Sequence, residues 1–223
     1  MKVLGLDCAG NSCSVAVLID REAVAARRTS TERGQAEVLL PMIEATLAEA
    51  RLDIGALDLI AVTVGPGSFT GVRTGLAAAR GLALASGRPL IGVTCFAAVA
   101  EAVAGETGEQ PLVVALESRR EELFLQRFDR ADPGEPALVA ASAWRNYAPG
   151  VPFLIAGDAA DRFAAGVARD DSRIVRHDAH SNAVAAARLG AAQWKSGTRA
   201  PPAPLYLRVP DVTVPPPQGR RTP

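Results

Sequence analysis

Few residue types in this chain could do chemistry, and they lie far apart. The only two histidines are His177 and His180. Their spacing suits a pair of zinc ligands, but catalytic zinc takes three protein ligands and a supporting shell. The sequence offers no third ligand set and no His-Glu-x-x-His, so both read as part of a solvated loop. Without a histidine before position 177, the N-terminal half cannot assemble a Ser-His or Cys-His pair, which disfavours a nucleophilic triad. Cys8, Cys13 and Cys95 sit in apolar, strand-like surroundings and read as reduced core residues, not a disulfide framework. Asp7 closes the first apolar strand and can cap the turn that follows through its own backbone.

The densest signal is Gly65-Pro66-Gly67-Ser68-Phe69-Thr70-Gly71-Val72-Arg73, between an apolar run (57–64) and a small-residue helical stretch (74–86). Ser68 and Thr70 are both candidate N-caps. A helix start with free N–H groups and no bulk beside it suits an anion. It equally suits a tight turn that lets helix and strand pack closely. A Walker A loop fails, because Gly71 is followed by Val72 and Arg73 where Lys and Ser/Thr are required. The dinucleotide fingerprint fails too: Gly65 and Gly67 fit, but Thr70 stands at the third glycine position.

These residues need elements to hold them. Lys2–Leu6, Ser14–Ile19 and Glu22–Arg28 read as three hairpin-linked strands, with a turn at Asp20-Arg21. A helix is expected over 35–52 with Leu39, Met42, Ile43, Thr46, Leu47 and Ala50 on its buried stripe and Pro41 bending it. Then come a strand (57–64), a helix (72–86), a strand (90–94) and a short helix (96–104). In the 72–86 helix, Gly71, Gly75, Ala79 and Ala83 form one ladder of small residues, and Ala77, Gly81 and Ala85 another. Gly inside a helix costs about 1 kcal/mol relative to Ala, so two such faces imply close approach on both sides. The break at 104–111 suggests a first lobe over 1–108 and a smaller one over 109–210. In the second lobe, strands are expected at 112–116, 122–128, 137–140 and 153–157, a helix capped by Asp158 and a last helix from Ser181. Thr213–Pro223 reads as disordered, within a tail from 211 to 223.

Composition sets limits. The 223 residues carry 24 basic and 24 acidic side chains, so there is no cationic excess to hold nucleic acid unaided. No apolar run approaches a membrane span. Met1-Lys2-Val3-Leu4-Gly5-Leu6-Asp7 meets charge at once, unlike a signal peptide. A cytoplasmic location is expected.

Gly65-Pro66-Gly67-Ser68-Phe69-Thr70-Gly71-Val72-Arg73-Thr74-Gly75 resembles the signature of the TsaB (YeaZ) family. Pro204-Leu205-Tyr206-Leu207-Arg208 resembles that family's Pro-x-Tyr-Leu-Arg. Asp7 with its small-residue turn resembles the phosphate-1 hairpin of the actin/Hsp70/sugar-kinase superfamily. There a carboxylate orients hydrated metal while turn N–H groups face phosphate. Cys8 and Ala9 stand where hydroxyls are usual, which favours the capping reading here. Glu117-Ser118-Arg119 resembles the Asp-Ala-Arg of the second hairpin, with Glu in place of Asp.

The resemblance implies an α/β, two-lobed, degenerate actin-like ATPase (ASKHA) fold, each lobe a mixed sheet flanked by helices. It implies a non-catalytic subunit that supports a TsaD-like catalytic subunit in threonylcarbamoyl transfer to tRNA adenosine. TsaD carries a His-x-x-x-His on the helix after the fifth strand, where this chain has Thr94-Cys95-Phe96-Ala97-Ala98-Val99-Ala100. Docking would use Leu39, Leu40, Ile43 and Leu47 of one helix and Val72, Arg73, Gly75, Leu76, Ala79, Arg80 and Ala83 of the other. A TsaE-like ATPase would join through the complex, tRNA would be met only indirectly, and the free chain could pair with itself. The nucleotide reading rests on Asp7, Gly65, Gly67, Ser68, Thr70 and Gly71, with ATP or ADP at the subunit junction. No metal or catalytic residue is assigned. The alternative is an ATP-dependent small-molecule phosphotransferase of the same superfamily.

Overall fold

A computed structural model describes residues 1–30, 34–129, 132–176 and 181–208. In chain order, the elements begin with β1 (Lys2–Asp7), β2 (Ser12–Ile19), β3 (Glu22–Ser30), α1 (Gln35–Glu49), β4 (Leu59–Thr63), α2 (Phe69–Ser86), β5 (Leu90–Val93), α3 (Cys95–Ala102) and α4 (Ala104–Thr107). They continue as β6 (Leu112–Glu117), β7 (Leu123–Asp129), β8 (Asp132–Pro133), β9 (Ala137–Val139), α5 (Trp144–Tyr147), β10 (Phe153–Ala156), α6 (Ala160–Val167), β11 (Ser172–Ile174) and α7 (Ser181–Lys195).

The apolar, β-branched runs make two mixed sheets. The first has the order β3-β2-β1-β4-β5, with antiparallel hairpins on one side and parallel crossovers on the other. The second runs β11-β10-β6-β7-β8, with β9 paired to β7. β1 and β4 are central and buried on both faces, so they read as continuous apolar runs without alternation.

Each face of the first sheet takes a different helix layer. Leu4, Leu6, Val15, Ile60 and Val62 meet Leu39 and Ile43 of α1 and Val72, Leu76 and Ala79 of α2. Val3, Ala16, Leu59, Ala61 and Ile91 meet Ala183, Ala187 and Ala191 of α7. α7 follows the second sheet in sequence yet is built onto the first. The approach is close: a Cβ on Gly5 would fall 2.0 Å from the carbonyl oxygen of Ala183. The second sheet packs Val113, Leu123, Phe153 and Ile155 against Trp144 and Phe163 of α5 and α6.

The segment after α7 also returns to the first sheet. Gly92 N–H donates to Ala200 O (3.2 Å), and Leu205 N–H donates to Val64 O (2.8 Å). Arg208 then reaches Glu122 beside the second sheet at 2.9 Å. The first sheet is therefore covered in part by residues 183–205, which follow the second sheet in sequence.

Helix α2 starts at Phe69, earlier than its composition suggests, so Gly71 lies in its first turn and Gly75 in its interior. Helix α1 runs through Pro41 and stops at Glu49. The expected Asp158 cap is a correction: Ala159 holds the cap position of α6. Asp158 instead accepts from the Glu117 N–H at 2.9 Å. His177, His180 and Thr213–Pro223 lie outside the described residues.

Candidate functional site: an interlobe cavity and an open helix groove

Asp7 ends β1 and is 2 % exposed. Its Oδ1 accepts from Thr63 Oγ1 at 2.6 Å and from Ala9 N–H at 3.2 Å. Its Oδ2 accepts from Asn182 Nδ2 at 3.1 Å. The carboxylate thus caps its turn and ties β1, β4 and α7 together. Sequence reasoning missed Thr63 and Asn182 in this network. Asn182 was visible only as a helix start, 175 residues from its partner.

The glycine motif closes on the same turn. Ser68 N–H donates to Ala9 O at 2.6 Å. A Cβ on Gly67 would lie 2.3 Å from Ala9 O, and one on Gly71 would lie 2.0 Å from Cys8 O. Gly65 has φ of 98°, a conformation L side chains rarely adopt. Ser68 is the cap of α2, its Oγ accepting from Gly71 N–H at 3.3 Å; Thr70 is exposed. Of the two readings of this turn, close packing is the one realised at Gly67 and Gly71. The carbonyl oxygens of Ala9 and Cys8 fill the space that a side chain would take at these two glycines.

Asp7, Gly67, Ser68 and Asn182 nevertheless line a cavity of about 150 Å³ between the sheets, with Glu117, Arg119 and Asp158 opposite. Arg119 crosses it, donating to Asn11 Oδ1 at 2.8 Å. Glu117 pairs with Arg162 at 2.7 Å. Glu117 and Arg119 of the 117–121 hairpin thus form part of the wall of the cleft. Asp158 is exposed as a residue, but desolvation of its carboxyl raises the pKa above the usual value. The Glu117 N–H works in the opposite direction. Among the described residues no group of three His, Cys, Asp or Glu is placed to hold a metal.

The expected docking residues divide. Leu39, Ile43, Leu47, Val72, Leu76 and Ala79 are all in the chain's own core, at 9 % exposure or less. Gly75 faces Cys8 and Val62. Packed inside the chain, these side chains offer little exposed surface, although Leu39 also lines the groove between α1 and α2. The Gly71-Gly75-Ala79 ladder points inward, and the Ala77-Gly81-Ala85 ladder points to solvent. Arg73 and Arg80 are exposed but engaged. Arg73 Nε donates to Tyr206 Oη at 2.9 Å, and its guanidinium lies 3.6 Å from the Phe69 ring centre. Arg80 donates to Pro202 O at 2.6 Å. Both hold the returning C-terminal segment. Ala83 is half-buried, and Leu40 remains free at 54 % exposure.

An apolar groove of about 520 Å³ runs between α1 and α2, lined by Ala36, Leu39, Leu40, Thr74, Ala77, Ala78, Gly81 and Leu82. Leu84, one turn further along α2, is 88 % exposed. No helix of the described residues is long and apolar enough to cross a membrane.

The model of the family described as "TsaD: tRNA N6-adenosine threonylcarbamoyltransferase" matches residues 28–141. The tRNA threonylcarbamoyladenosine biosynthesis protein TsaB of Escherichia coli K12 is 32% identical over 134 residues, 60% of this chain and 58% of that protein. The chain spans little more than half the length of these curated relatives. The solved structure of YeaZ from Pseudomonas aeruginosa superposes with a TM-score of 0.76 at 25% identity, over 92% of this chain and 99% of that one. A ROK hexokinase from Thermus thermophilus shares the fold alone, with a TM-score of 0.54 at 16% identity over 87% of this chain and all of that one. The two-lobed actin-like architecture, the glycine motif and these likenesses agree, and the chain belongs to the TsaB (YeaZ) family, within the group that the TsaD model describes.

Proposed function

We propose that this chain takes part in forming N6-threonylcarbamoyladenosine in tRNA as a non-catalytic subunit that docks a TsaD-like catalytic subunit. The observation that carries this reading is the unfilled groove between α1 and α2, apolar and floored by Ala77 and Gly81. Small residues there let a partner helix approach to about 8–10 Å between axes. The relatives named for this biosynthesis support the pathway, and α3, the helix after the fifth strand, contains no imidazole in its sequence. A TsaE-like ATPase joins the assembly through the partner, tRNA is held mainly by other subunits, and the free chain pairs through the same groove. ATP or ADP at the subunit junction belongs to this reading.

The test is co-elution with a purified TsaD-like subunit on a sizing column. Wild type shifts to the complex; Leu40→Glu and Gly81→Leu, both at open positions, stay apart while keeping their native circular dichroism. If both variants still co-elute, the groove is not the interface. The phosphotransferase alternative gains little from the site, because both oxygens of Asp7 already accept protein hydrogen bonds. Calorimetry with Mg-ATP on the free chain separates the two readings: tight binding abolished by Asp7→Asn would favour the alternative.

A further inference from the structure

The β1–β2 ladder pairs Asp7 with Ser14, so the next step outward sets Cys8 opposite Cys13. Their sulfurs are 2.9 Å apart, and the two residues are 1 % and 0 % exposed. Directly opposed residues in an antiparallel pair have Cα atoms about 4.5–5.5 Å apart, inside the roughly 4.4–6.8 Å a disulfide needs. Closure then takes the sulfurs from 2.9 Å to about 2.05 Å.

We propose that Cys8 and Cys13 are a reversible disulfide site, oxidised by a peroxide, that staples the turn at the interlobe cavity. One thiol donates a hydrogen bond to the other. That bond holds the Cys13 pKa below its ordinary value and pushes Cys8 far above its own. Cys13 is thus the attacking sulfur: as thiolate it takes an oxygen from the peroxide, giving a sulfenic acid and one water once protons are returned. The Cys8 sulfur then attacks the sulfenic sulfur, the S–S bond forms, and a second water leaves. Two thiols lose two electrons in all, and one peroxide becomes two waters. A dithiol reverses the step. In a reducing compartment such a bond is transient and tracks oxidant.

The enclosed turn carries two contacts that define the site. Ala9 O accepts from Ser68 N–H at the start of α2, and Asn11 accepts from Arg119 across the cleft. Stapling the turn fixes both. Cys95 is the internal control: it is buried and free, its N–H donates to Gly65 O, and desolvation raises its thiol pKa.

The full chain is treated with hydrogen peroxide under native conditions, denatured in an alkylating agent and mapped by mass. Two of the three thiols should become protected, in one cross-linked peptide joining positions 8 and 13, and a dithiol should restore them. Cys8→Ser and Cys13→Ser should each abolish the cross-link, and Cys95→Ser should leave it unchanged. Should either serine variant fail to fold, the Cys95→Ser protein still decides: it must lose both remaining thiols together. Three freely alkylated thiols after oxidation, or a bond that includes Cys95, would overturn the proposal.

Discussion

Two glycines of one helix should respond with opposite sign to the same change. Gly81 lies on the open face of α2, and a Cβ there would meet nothing within 4 Å. Gly71 lies on the inner face, where a Cβ would sit 2.0 Å from the Cys8 carbonyl oxygen, against the 3.4 Å at which ordinary contact begins. Gly81→Ala should therefore recover the helix-propensity penalty and stabilise by about 0.5–1 kcal/mol, raising Tm by about 2–4 °C per kcal/mol in a chain of this size. Gly71→Ala must push a backbone carbonyl or the helix start more than an ångström aside, and backbone yields poorly. Overpacking of this kind costs about 1–3 kcal/mol or more, so the two variants should differ by roughly 2–4 kcal/mol on the same scales. Urea unfolding followed by far-ultraviolet circular dichroism measures both. A neutral or stabilising Gly71→Ala, or a destabilising Gly81→Ala, would refute the assignment of faces on α2, and with it the groove as a docking surface.

Asp7→Asn should destabilise by about 1–3 kcal/mol, because the amide turns an NH2 toward one of three donors that a carboxylate satisfies; chemical denaturation checks this. Gly5→Ala should loosen α7, since the added Cβ meets the Ala183 carbonyl oxygen at 2.0 Å; hydrogen exchange should rise along residues 183–191 before it rises in α1. Tyr206→Ala should cost about 1 kcal/mol through loss of its packing on Phe69, and Tyr206→Phe, which keeps the ring and loses only the Arg73 bond, about 0.5 kcal/mol. Faster exchange of the Leu205 amide, bonded to Val64 O, should report the first and barely register the second.

Strands β1, β4 and β5 of the first sheet were legible because their runs are short and mostly apolar, with β-branched residues concentrated in β4 and β5. The face of α2 was not legible. Both of its ladders are built from Gly and Ala, so nothing in the local pattern distinguishes a face packed on Cys8 and Val62 from one open to solvent. The same ambiguity hid where α7, itself expected from Ser181, would pack. Its Ala183, Ala187 and Ala191 look like a weak amphipathic stripe, yet small size is what lets the helix backbone approach Gly5 on β1. The partners of Arg73 and Arg80 were not legible because the segment that engages them lies more than 120 residues away.

These misreadings share a cause that also bears on function. In an ordinary helix large apolar side chains mark the buried face, and here they are scarce on both. The glycine signature is usually read for what it leaves open to a ligand, but at Gly67 and Gly71 the missing side chains make room for the carbonyls of Ala9 and Cys8. The motif therefore fixes where α2 lies against the Asp7 turn. With its inner face held there and at Val62, the helix can present only the opposite ladder to a partner. The signature is thus needed for the position of α2 whether or not a phosphate ever binds, because a side chain at Gly67 or Gly71 would meet a backbone carbonyl.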